Sequence, residues 1–254
     1  MLPHVEQQIG RLIPSMDAQG FAFIQATEMR ELLDEVGAVD DWKAFAASWN
    51  DLTVDAYMAD QGRYRRRRYA VYSAAKQGRI ERCEHQPHHQ TVDYNVLHGG
   101  IERWFEPITP EVGKADSLRT ILRFARRCFG QRAPDAETWH IEVHQFRIEA
   151  RPDQPGMPTP EGKHRDGVDF VLVLMIDRHN IASGTTSIHA LDGTELGAFT
   201  LTEPFDTALV DDHRVFHGVT AVEAVDPLQD SYRDVLVVTF RAKAEHQQCS
   251  GPRA

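Results

Sequence analysis

The second half of the chain is a series of short apolar runs that begins with WHIEVHQFRIEA at residues 139–150 and VDFVLVLMI at 168–176. The later runs are TTSIHAL (185–191), AFTL (198–201), DTALVDD (206–212), VFHGVTAV (215–222) and RDVLVVTF (233–240). Runs of this kind between turn residues are typical of strands, and a spacing of about 8 to 12 residues is typical of sandwiches and barrels. No helical pattern separates them, which argues against βαβ units. A mainly β fold with helices, the jelly-roll, fits this pattern best.

The first half has a mostly helical pattern with some early strands. Apolar residues recur at helical spacing in VEQQIGRLI (5–13), ATEMRELLDEV (26–36), VDDWKAFAASW (39–49) and LRTILRFARRCF (118–129). Gly130 is the expected end of the last of these helices. We therefore predict one domain, residues 1–254, in which a helical layer and early strands (1–135) support a jelly-roll core (136–242) and a flexible tail follows (243–254).

The composition argues against several classes of protein. With 41% hydrophobic and 26% charged residues, the chain can bury a sizeable core. Its net charge of -10 argues against a general nucleic-acid binder, which needs a broad basic surface. No apolar run is long enough to span a membrane and the N-terminus lacks the pattern of a signal peptide, so we expect a cytoplasmic protein. The sequence does not fix the oligomeric state, and a homodimer is compatible with it.

The triplet His164-Arg165-Asp166 is the first candidate for metal binding. An HxD triplet is expected by chance about once in a chain of this composition, so its context matters more than its presence. It lies between a segment with four prolines, 151–163, and the apolar strand at 168–176. Alternate residues of an extended strand point to the same side, so His164 and Asp166 can face one site.

A third ligand has to come from a distant strand. His217 lies inside the run at 215–222, whereas His213 lies in the acidic turn before it, so His217 is the favoured candidate. Two imidazoles and one carboxylate leave three adjacent positions open on octahedral iron, which suits a bidentate co-substrate together with O2. Catalytic zinc usually keeps one open position. The pattern therefore predicts a non-haem Fe(II) site.

Such a co-substrate, 2-oxoglutarate, has a far carboxylate that needs a cationic partner. Arg233 begins an apolar strand 16 residues after His217, and a hairpin can bring the two together. A guanidinium pairs with a carboxylate through two hydrogen bonds, which makes Arg233 the candidate; Thr239 and Ser231 are weaker ones.

Several stretches resemble one known family, the 2-oxoglutarate/Fe(II)-dependent dioxygenases of bacterial L-isoleucine 4-hydroxylases and BsmA-like biofilm and stress proteins. The stretches are EGKHRDGVDFVLVLMI (161–176), ASGTTSIH (182–189), ALVDDHRVFHGVTAV (208–222) and RDVLVVTF (233–240), with GRYRRRRYA (62–70) and YNVLHGGIERWFEPI (94–108) further upstream. The resemblance implies a double-stranded β-helix, iron held by His164, Asp166 and His217, and 2-oxoglutarate held by Arg233. It also implies Fe(II), 2-oxoglutarate and O2 as cofactors and a small substrate, a free L-amino acid, which is hydroxylated at an unactivated carbon.

Two other functions compete with this hypothesis. His140, Glu142 and His144 share one face of their strand and form a rival metal set, as in a cupin-type metalloenzyme that does not use 2-oxoglutarate. The second alternative is a non-catalytic biofilm or stress effector that keeps the barrel as a binding module. Measurement of succinate formation distinguishes the dioxygenase from these two alternatives.

The sequence leaves the roles of several polar residues open. In the basic run at 65–68, strand alternation sends Arg66 and Arg68 to one face and Arg65 and Arg67 to the other, and one of these faces is a candidate for binding a substrate carboxylate. Tyr94, Gln145 and Arg147 are further candidates for the pocket wall.

Overall fold

A computed structural model describes residues 2–58, 62–89 and 100–243 of the chain. Its helices are α1 (Leu2–Gln19), α2 (Ala26–Val36), α3 (Trp42–Ala47), α4 (Pro110–Lys114) and α5 (Asp116–Arg132). Across these described ranges, no helix is long and apolar enough to cross a membrane. The expected tail, 243–254, lies outside the described residues except for Lys243, which ends the last strand.

Strands make up most of the remaining structure. In chain order they are β1 (Phe21–Ile24), β2 (Thr53–Val54), β3 (Arg65–Ala75), β4 (Ile80–Arg82), β5 (His88–His89), β6 (Glu102–Arg103), β7 (Thr138–Glu149), β8 (Phe170–His179), β9 (Ile181–Ser183), β10 (Thr186–Ala190), β11 (Glu195–Phe199), β12 (Thr207–Asp211), β13 (Val215–Val219), β14 (Val222–Ala224) and β15 (Tyr232–Lys243). The large sheet has the order β1-β12-β8-β15-β7-β3-β2, with β4 beside β3. A smaller sheet has the order β11-β10-β13, and β14-β9 and β5-β6 form separate pairs.

The small sheet packs face to face on one part of the large sheet. Ile188 of β10 and Val215 of β13 form a buried cluster with Val171 of β8 and Val210 of β12. Strand pairs in both sheets are antiparallel, as the runs of alternating residues require. The predicted fold class, a jelly-roll with an N-terminal helical layer, is confirmed.

Helix α5 covers the outer face of the large sheet. The predicted apolar face is buried there, at Leu118, Ile121, Leu122, Ala125 and Phe129. Phe129 stacks on Phe170, with ring centroids 4.9 Å apart, and meets Phe240 edge-on at 5.2 Å. The helix ends at Arg132, two residues beyond the end expected at Gly130, because a glycine weakens a packed helix but does not by itself stop it.

The inner face of the large sheet is formed partly by the N-terminal half, which was expected mainly to support the core. Strand β3 pairs with β7 along its whole length, and Arg65 and Arg67 lie beside Ile148 and Phe146. Both arginines are buried and point to the interior. The first half of the chain therefore contributes charged side chains to the space between the sheets.

Candidate active site

A cavity of about 160 Å³ lies between the two sheets. Its large-sheet wall consists of alternate residues of β3, β7, β15, β8 and β12, and the opposite wall includes His217 of β13 and residues of the proline-rich segment, among them Pro158, Thr159 and Glu161. The cavity therefore meets both the predicted metal site and the predicted co-substrate arginine. It also holds a group of charged residues that sequence patterns did not bring together.

The structure brings His164, Asp166 and His217 together at one end of the small sheet. The backbones of the two histidines exchange hydrogen bonds of 2.9 and 3.0 Å, which fixes their relative position. Asp166 Oδ1 lies 3.7 Å from His164 Nε2, and its Oδ2 lies 3.5 Å from His217 Nε2. Metal bonds of about 2.1 Å that meet at right angles place ligand atoms about 3 Å apart, so small adjustments would let the three hold one divalent cation.

The protonation of the three side chains depends on burial and on their mutual contacts. Burial, together with the neighbouring His164, lowers the pKa of His217 to about 4, which keeps it in the neutral, ligating form. Burial also acts to lower the pKa of His164, but Asp166 outweighs it and raises that pKa to about 9. Burial raises the pKa of Asp166, but the two histidines more than offset this and hold it well below its usual range. A cation that binds here has to displace the proton of His164.

Two carboxylates next to this triad were not found by sequence reasoning. Asp212 is buried, and its pKa is raised to about 6 by burial and by the charge of Asp166. Glu161 Oε1 lies 3.5 Å from His164 Nε2. The sequence showed Asp212 only as part of an acidic turn, and nothing in the pattern marked Glu161.

Arg233 lines the same cavity from β15 and is only 2% exposed. Its Nε and one terminal nitrogen, Nη2, are buried and have no hydrogen-bond partner among the described residues. Burial and the neighbouring Arg178 lower its pKa to about 10, so the side chain is still a cation at neutral pH. Gly184, at φ +73°, lies against both arginines, and a Cβ there would come within 3.2 Å of Arg178 Nη1 and 3.7 Å of Arg233 Cδ. The absence of a side chain at this turn leaves room for the two guanidinium groups.

Glu142 is the centre of a second polar cluster in the cavity. Its Oε1 accepts a hydrogen bond of 2.8 Å from Tyr69 Oη and lies 3.4 Å from His140 Nε2. Its Oε2 lies 3.2 Å from His88 Nδ1 and 3.9 Å from His144 Nε2. Burial raises the pKa of Glu142, but the three histidines outweigh it and hold that pKa well below its usual range, so the side chain is a carboxylate.

A buried cation lies next to this cluster. Arg67 Nη2 is 2.6 Å from His144 Nδ1, and the guanidinium lies over the rings of Phe105 and Phe146, 3.5 and 4.4 Å from their centroids. Arg67 is 4% exposed, and its Nε has no hydrogen-bond partner in the described part of the chain. Burial is the main reason that its pKa falls to about 9.

Comparison with known proteins identifies the chain. A family model described as 2OG-Fe dioxygenase matches residues 46–239. The chain belongs to this family. It is therefore a 2-oxoglutarate-dependent non-haem iron dioxygenase, and the family uses Fe(II), 2-oxoglutarate and O2. The family predicted from the quoted motifs is confirmed.

Individual relatives agree with this assignment. The 3(1)-hydroxy-L-isoleucine 4-dioxygenase of Pantoea ananatis (strain AJ13355) is 26% identical over 243 residues, which cover 92% of this chain and 96% of the relative. The crystal structure of a bsmA homologue from Methylobium petroleophilum PM1 is 36% identical, with a TM-score of 0.83 over 92% of this chain and 93% of that one. IDO from Bacillus thuringiensis has the same fold, with a TM-score of 0.77 at 20% identity over 93% of this chain and 100% of that one.

The rival third ligand of the dioxygenase, His213, is not near the triad. Its Nε2 lies 2.6 Å from Asp169 Oδ1, and its side chain is 62% exposed. The rival metal set is only partly assembled, because the third residue whose ligand atom lies close to those of Glu142 and His144 is His88, not the expected His140. The part of the dioxygenase that the structure describes therefore contains two groups of potential metal ligands, and both line one cavity.

Two polar residues whose roles the sequence did not decide, Gln145 and Arg147, lie outside the cavity. Gln145 is buried on the opposite face of β7 and donates to Ser48 Oγ at 2.8 Å. Arg147 pairs with Asp234 through bonds of 2.8 and 2.6 Å. Both were candidates for the pocket wall, and strand alternation places Phe146 and Ile148 there instead.

The basic run is divided between two faces, as alternation predicts. Arg66 Nε donates to Glu149 Oε1 at 2.5 Å, and Arg68 donates to backbone carbonyl oxygens. The other two arginines of the run line the cavity. Tyr94 lies outside the described residues.

Proposed function

We propose that His164, Asp166 and His217 bind the Fe(II) of this dioxygenase, that Arg233 binds the far carboxylate of 2-oxoglutarate, and that the substrate is a free L-amino acid. The observation that carries the proposal is the buried, incompletely bonded guanidinium of Arg233 in the same cavity as the three potential ligands. An unpaired buried charge is costly, so this position suits an anionic ligand.

The donor set suits Fe(II). His164 Nδ1 lies 3.1 Å from the carbonyl oxygen of Gly162 and can donate to it, which leaves Nε2 for a metal. His217 is neutral, and Asp166 supplies the single negative charge. Three protein ligands on one side leave open positions for a chelating co-substrate and a gas.

The bound iron and 2-oxoglutarate supply the oxidising chemistry, in which O2 is consumed, 2-oxoglutarate loses CO2 to become succinate, and one oxygen atom enters a C–H bond of the substrate. The residues of the chain bind, orient and exclude water. Arg233 has planar donors that match a carboxylate through two hydrogen bonds, so it can fix the direction in which 2-oxoglutarate lies.

The lining of the cavity is largely apolar. Its aliphatic residues include Val171, Val173, Leu201, Val210, Val235 and Val237. Such walls favour an aliphatic side chain and exclude water from the reacting centre. The name of the Pantoea relative, which acts on a hydroxylated isoleucine, supports an amino acid of this kind as the substrate class.

Succinate formation tests the proposal. Anaerobically purified protein is loaded with Fe(II) and 2-oxoglutarate, mixed with each of the twenty amino acids, and exposed to O2. We expect one or a few aliphatic amino acids to raise succinate formation and to gain one oxygen atom by mass spectrometry, and His217→Ala to abolish both. Metal binding without succinate would support the cupin-type alternative. Loaded protein that forms no succinate with any substrate would support the effector alternative.

A further inference from the structure

Arg67 and Glu142 are opposite charges that face the cavity, and the proposed iron and 2-oxoglutarate sites use neither of them. On the basis of the proposed function, we infer that they form a second binding site in which Arg67 holds the α-carboxylate and Glu142 the α-ammonium of the substrate. His144 lies between them and positions both. The site would therefore recognise the head group that all free α-amino acids share, whereas the apolar wall would select the side chain.

Arg67 has the charge and the unused bonding capacity that a carboxylate needs. It shares the carboxylate of Asp55 with Arg65, whose Nη2 is 2.7 Å from Asp55 Oδ2, while Arg67 Nη1 is 3.6 Å from the same oxygen. At least two buried guanidinium groups thus face one carboxylate, and Arg103 adds a further positive charge nearby. A substrate carboxylate at Arg67 would balance part of this excess positive charge and accept from Arg67 Nε, which has no partner among the described residues.

Glu142 offers the negative counterpart. Tyr69 and the surrounding histidines hold its carboxylate in place. A carboxylate oxygen accepts more than one hydrogen bond, so Oε2 can bind an ammonium in addition to His88. The ammonium would bring three donors and a full positive charge to a carboxylate whose direct contacts include a tyrosine hydroxyl and imidazoles.

The spacing of the two charges suits an α-amino acid. A single imidazole ring separates them, since His144 Nδ1 is 2.6 Å from Arg67 and His144 Nε2 is 3.9 Å from Glu142. The carboxylate and ammonium of an α-amino acid are attached to one carbon, and with a hydrogen bond at each end they span a gap of this size. A dicarboxylate or a simple amine would satisfy only one of the two partners.

The alternative of a second metal at His88, Glu142 and His144 is less favourable. Because Arg67 can only donate, His144 Nδ1 has to accept, and in a neutral imidazole the proton then lies on Nε2. That nitrogen points toward Glu142 and cannot ligate a metal in this tautomer. The guanidinium would also repel a divalent cation.

The head-group site and the co-substrate site can be occupied together. Arg233 pairs with Ile148 across β15 and β7, and Glu142 lies six residues earlier on β7, so their backbones are about 20 Å apart along the strand. His144 lines the same cavity as His164, Asp166 and His217, so the head-group site and the triad open into one space. An amino acid anchored here can extend its side chain toward the predicted iron position.

The inference can be tested on wild-type protein with modified ligands. Anaerobic protein loaded with Fe(II) and 2-oxoglutarate is titrated, by calorimetry, with the free amino acids and then with the N-acetyl and carboxamide forms of the tightest binder. Each modification removes one charge of the head group. We expect each to weaken binding by about 10- to 100-fold, the usual range for loss of a charged hydrogen bond. Equal affinity for the modified forms, or no binding of any free amino acid, overturns the inference.

Matched variants assign the two charges to residues. Arg67→Gln and Glu142→Gln should weaken amino-acid binding by a similar factor, while Arg66→Gln and Glu149→Gln, on the same strands but the other face, should not. Iron content and the visible absorption of the 2-oxoglutarate chelate should be unchanged in all four, which also shows that each variant is folded.

Loss of the chelate in Arg67→Gln would mean that Arg67 binds 2-oxoglutarate and would overturn the assignment. Loss of a second equivalent of iron or zinc in Glu142→Gln would instead reveal a metal site. If the wild type itself binds no 2-oxoglutarate, the proposed function is wrong, and the inference that rests on it is overturned as well.

Discussion

Asp212 holds the backbone of Asp166 in the conformation that places the Asp166 carboxylate between the two histidines. Its Oδ1 accepts the Asp166 N–H at 2.9 Å, and its Oδ2 accepts the next two N–H groups, of Gly167 and Val168, at 2.7 and 3.1 Å. Gly167 has a φ of +76°, so the chain turns sharply here, and one buried carboxylate bonds the whole turn.

Substituting Asp212 should therefore weaken metal binding without removing a ligand. We expect Asp212→Asn to lower Fe(II) affinity by about 10- to 100-fold, the usual effect of losing a residue that orients a ligand. Asp206 is a matched control, because it accepts backbone N–H bonds from Ala26, Thr202 and Glu203 far from the site. Asp206→Asn should lower the free energy of unfolding and leave the affinity unchanged. Equal metal affinities in the two variants would contradict the role of Asp212.

The two neighbouring histidines should respond differently to substitution. His217→Ala should lower Fe(II) affinity by more than about 100-fold, because a direct ligand contributes more than a residue that orients one. His213→Ala removes only an exposed contact with Asp169 and should keep full occupancy. Iron per chain, measured after desalting at equal Fe(II) concentration, distinguishes them. Loss of iron in His213→Ala would show that the ligand assignment is wrong.

Asp166→Ala should empty the metal site and keep the fold. Asp166 is not part of the buried apolar core, and its removal also relieves the repulsion that raises the pKa of Asp212. It also takes away the carboxylate that raises the pKa of His164, so we expect metal-free protein to keep the wild-type far-ultraviolet circular dichroism while its free energy of unfolding at neutral pH falls by about 1 to 3 kcal/mol. An aggregated or molten variant would give Asp166 a structural role.

Each candidate residue of the proposed iron and 2-oxoglutarate sites could be picked out from the pattern of its own strand. The HxD triplet, His217 and Arg233 each stand at a recognisable place, before, inside or at the start of an apolar run. Strand alternation also separated Arg65 and Arg67 from their neighbours. These inferences needed only local patterns.

The complete set of residues around the proposed head-group site could not be predicted from the sequence, because it depends on which strands pair. Tyr69 reaches Glu142 only because β3 lies beside β7 in one register, and a shift by one residue would reverse every side chain. His88 comes from a two-residue strand that no periodicity marks. Asp212 had the sequence signature of a turn, and its role becomes visible only when the distant HxD segment is placed over it.

The buried pairing of Asp55 with two arginines makes a pH-dependent contribution to stability. Burial raises the pKa of Asp55, but Arg67 and Arg65 outweigh it and hold that pKa below the ordinary 3.8. A depressed pKa contributes stability above the unfolded value, and that stability is lost as the pH falls through the folded value. Asp55→Asn should therefore lower the free energy of unfolding by about 3 to 5 kcal/mol at neutral pH, and by progressively less as the pH falls below about 4 toward the folded pKa.

Urea unfolding at a series of pH values tests this dependence. The exposed pair Arg30–Asp34 provides the control, since Asp34→Asn breaks a solvated bridge and should cost less than about 0.5 kcal/mol at any pH. A difference between wild type and Asp55→Asn that stays constant from neutral pH to about pH 3 would exclude the ion pairs as its cause.

Arg233 is the residue on which the co-substrate assignment depends. Its guanidinium is buried, and its Nε and Nη2 have no hydrogen-bond partner in the described ranges of the chain. Lysine at this place would keep the charge but lose the planar pair of donors. Arg233→Lys should therefore weaken 2-oxoglutarate binding by about 10-fold or more, and Arg233→Ala should weaken it further, while Fe(II) affinity changes little in both.

The measurement is a titration of 2-oxoglutarate into anaerobic Fe(II) protein, followed by the weak visible absorption of the chelate. Arg241 also lines the cavity but is exposed, and its Nη2 donates to the Gly167 carbonyl at 3.1 Å, so Arg241→Lys is the matched control and should bind 2-oxoglutarate normally. Separate Fe(II) titrations show whether the metal site is intact in each variant. Because removal of a planar cation that contacts the far carboxylate must cost affinity, an unchanged chelate affinity in Arg233→Ala would exclude Arg233 as the partner. Weaker binding in Arg241→Lys would transfer that role to Arg241.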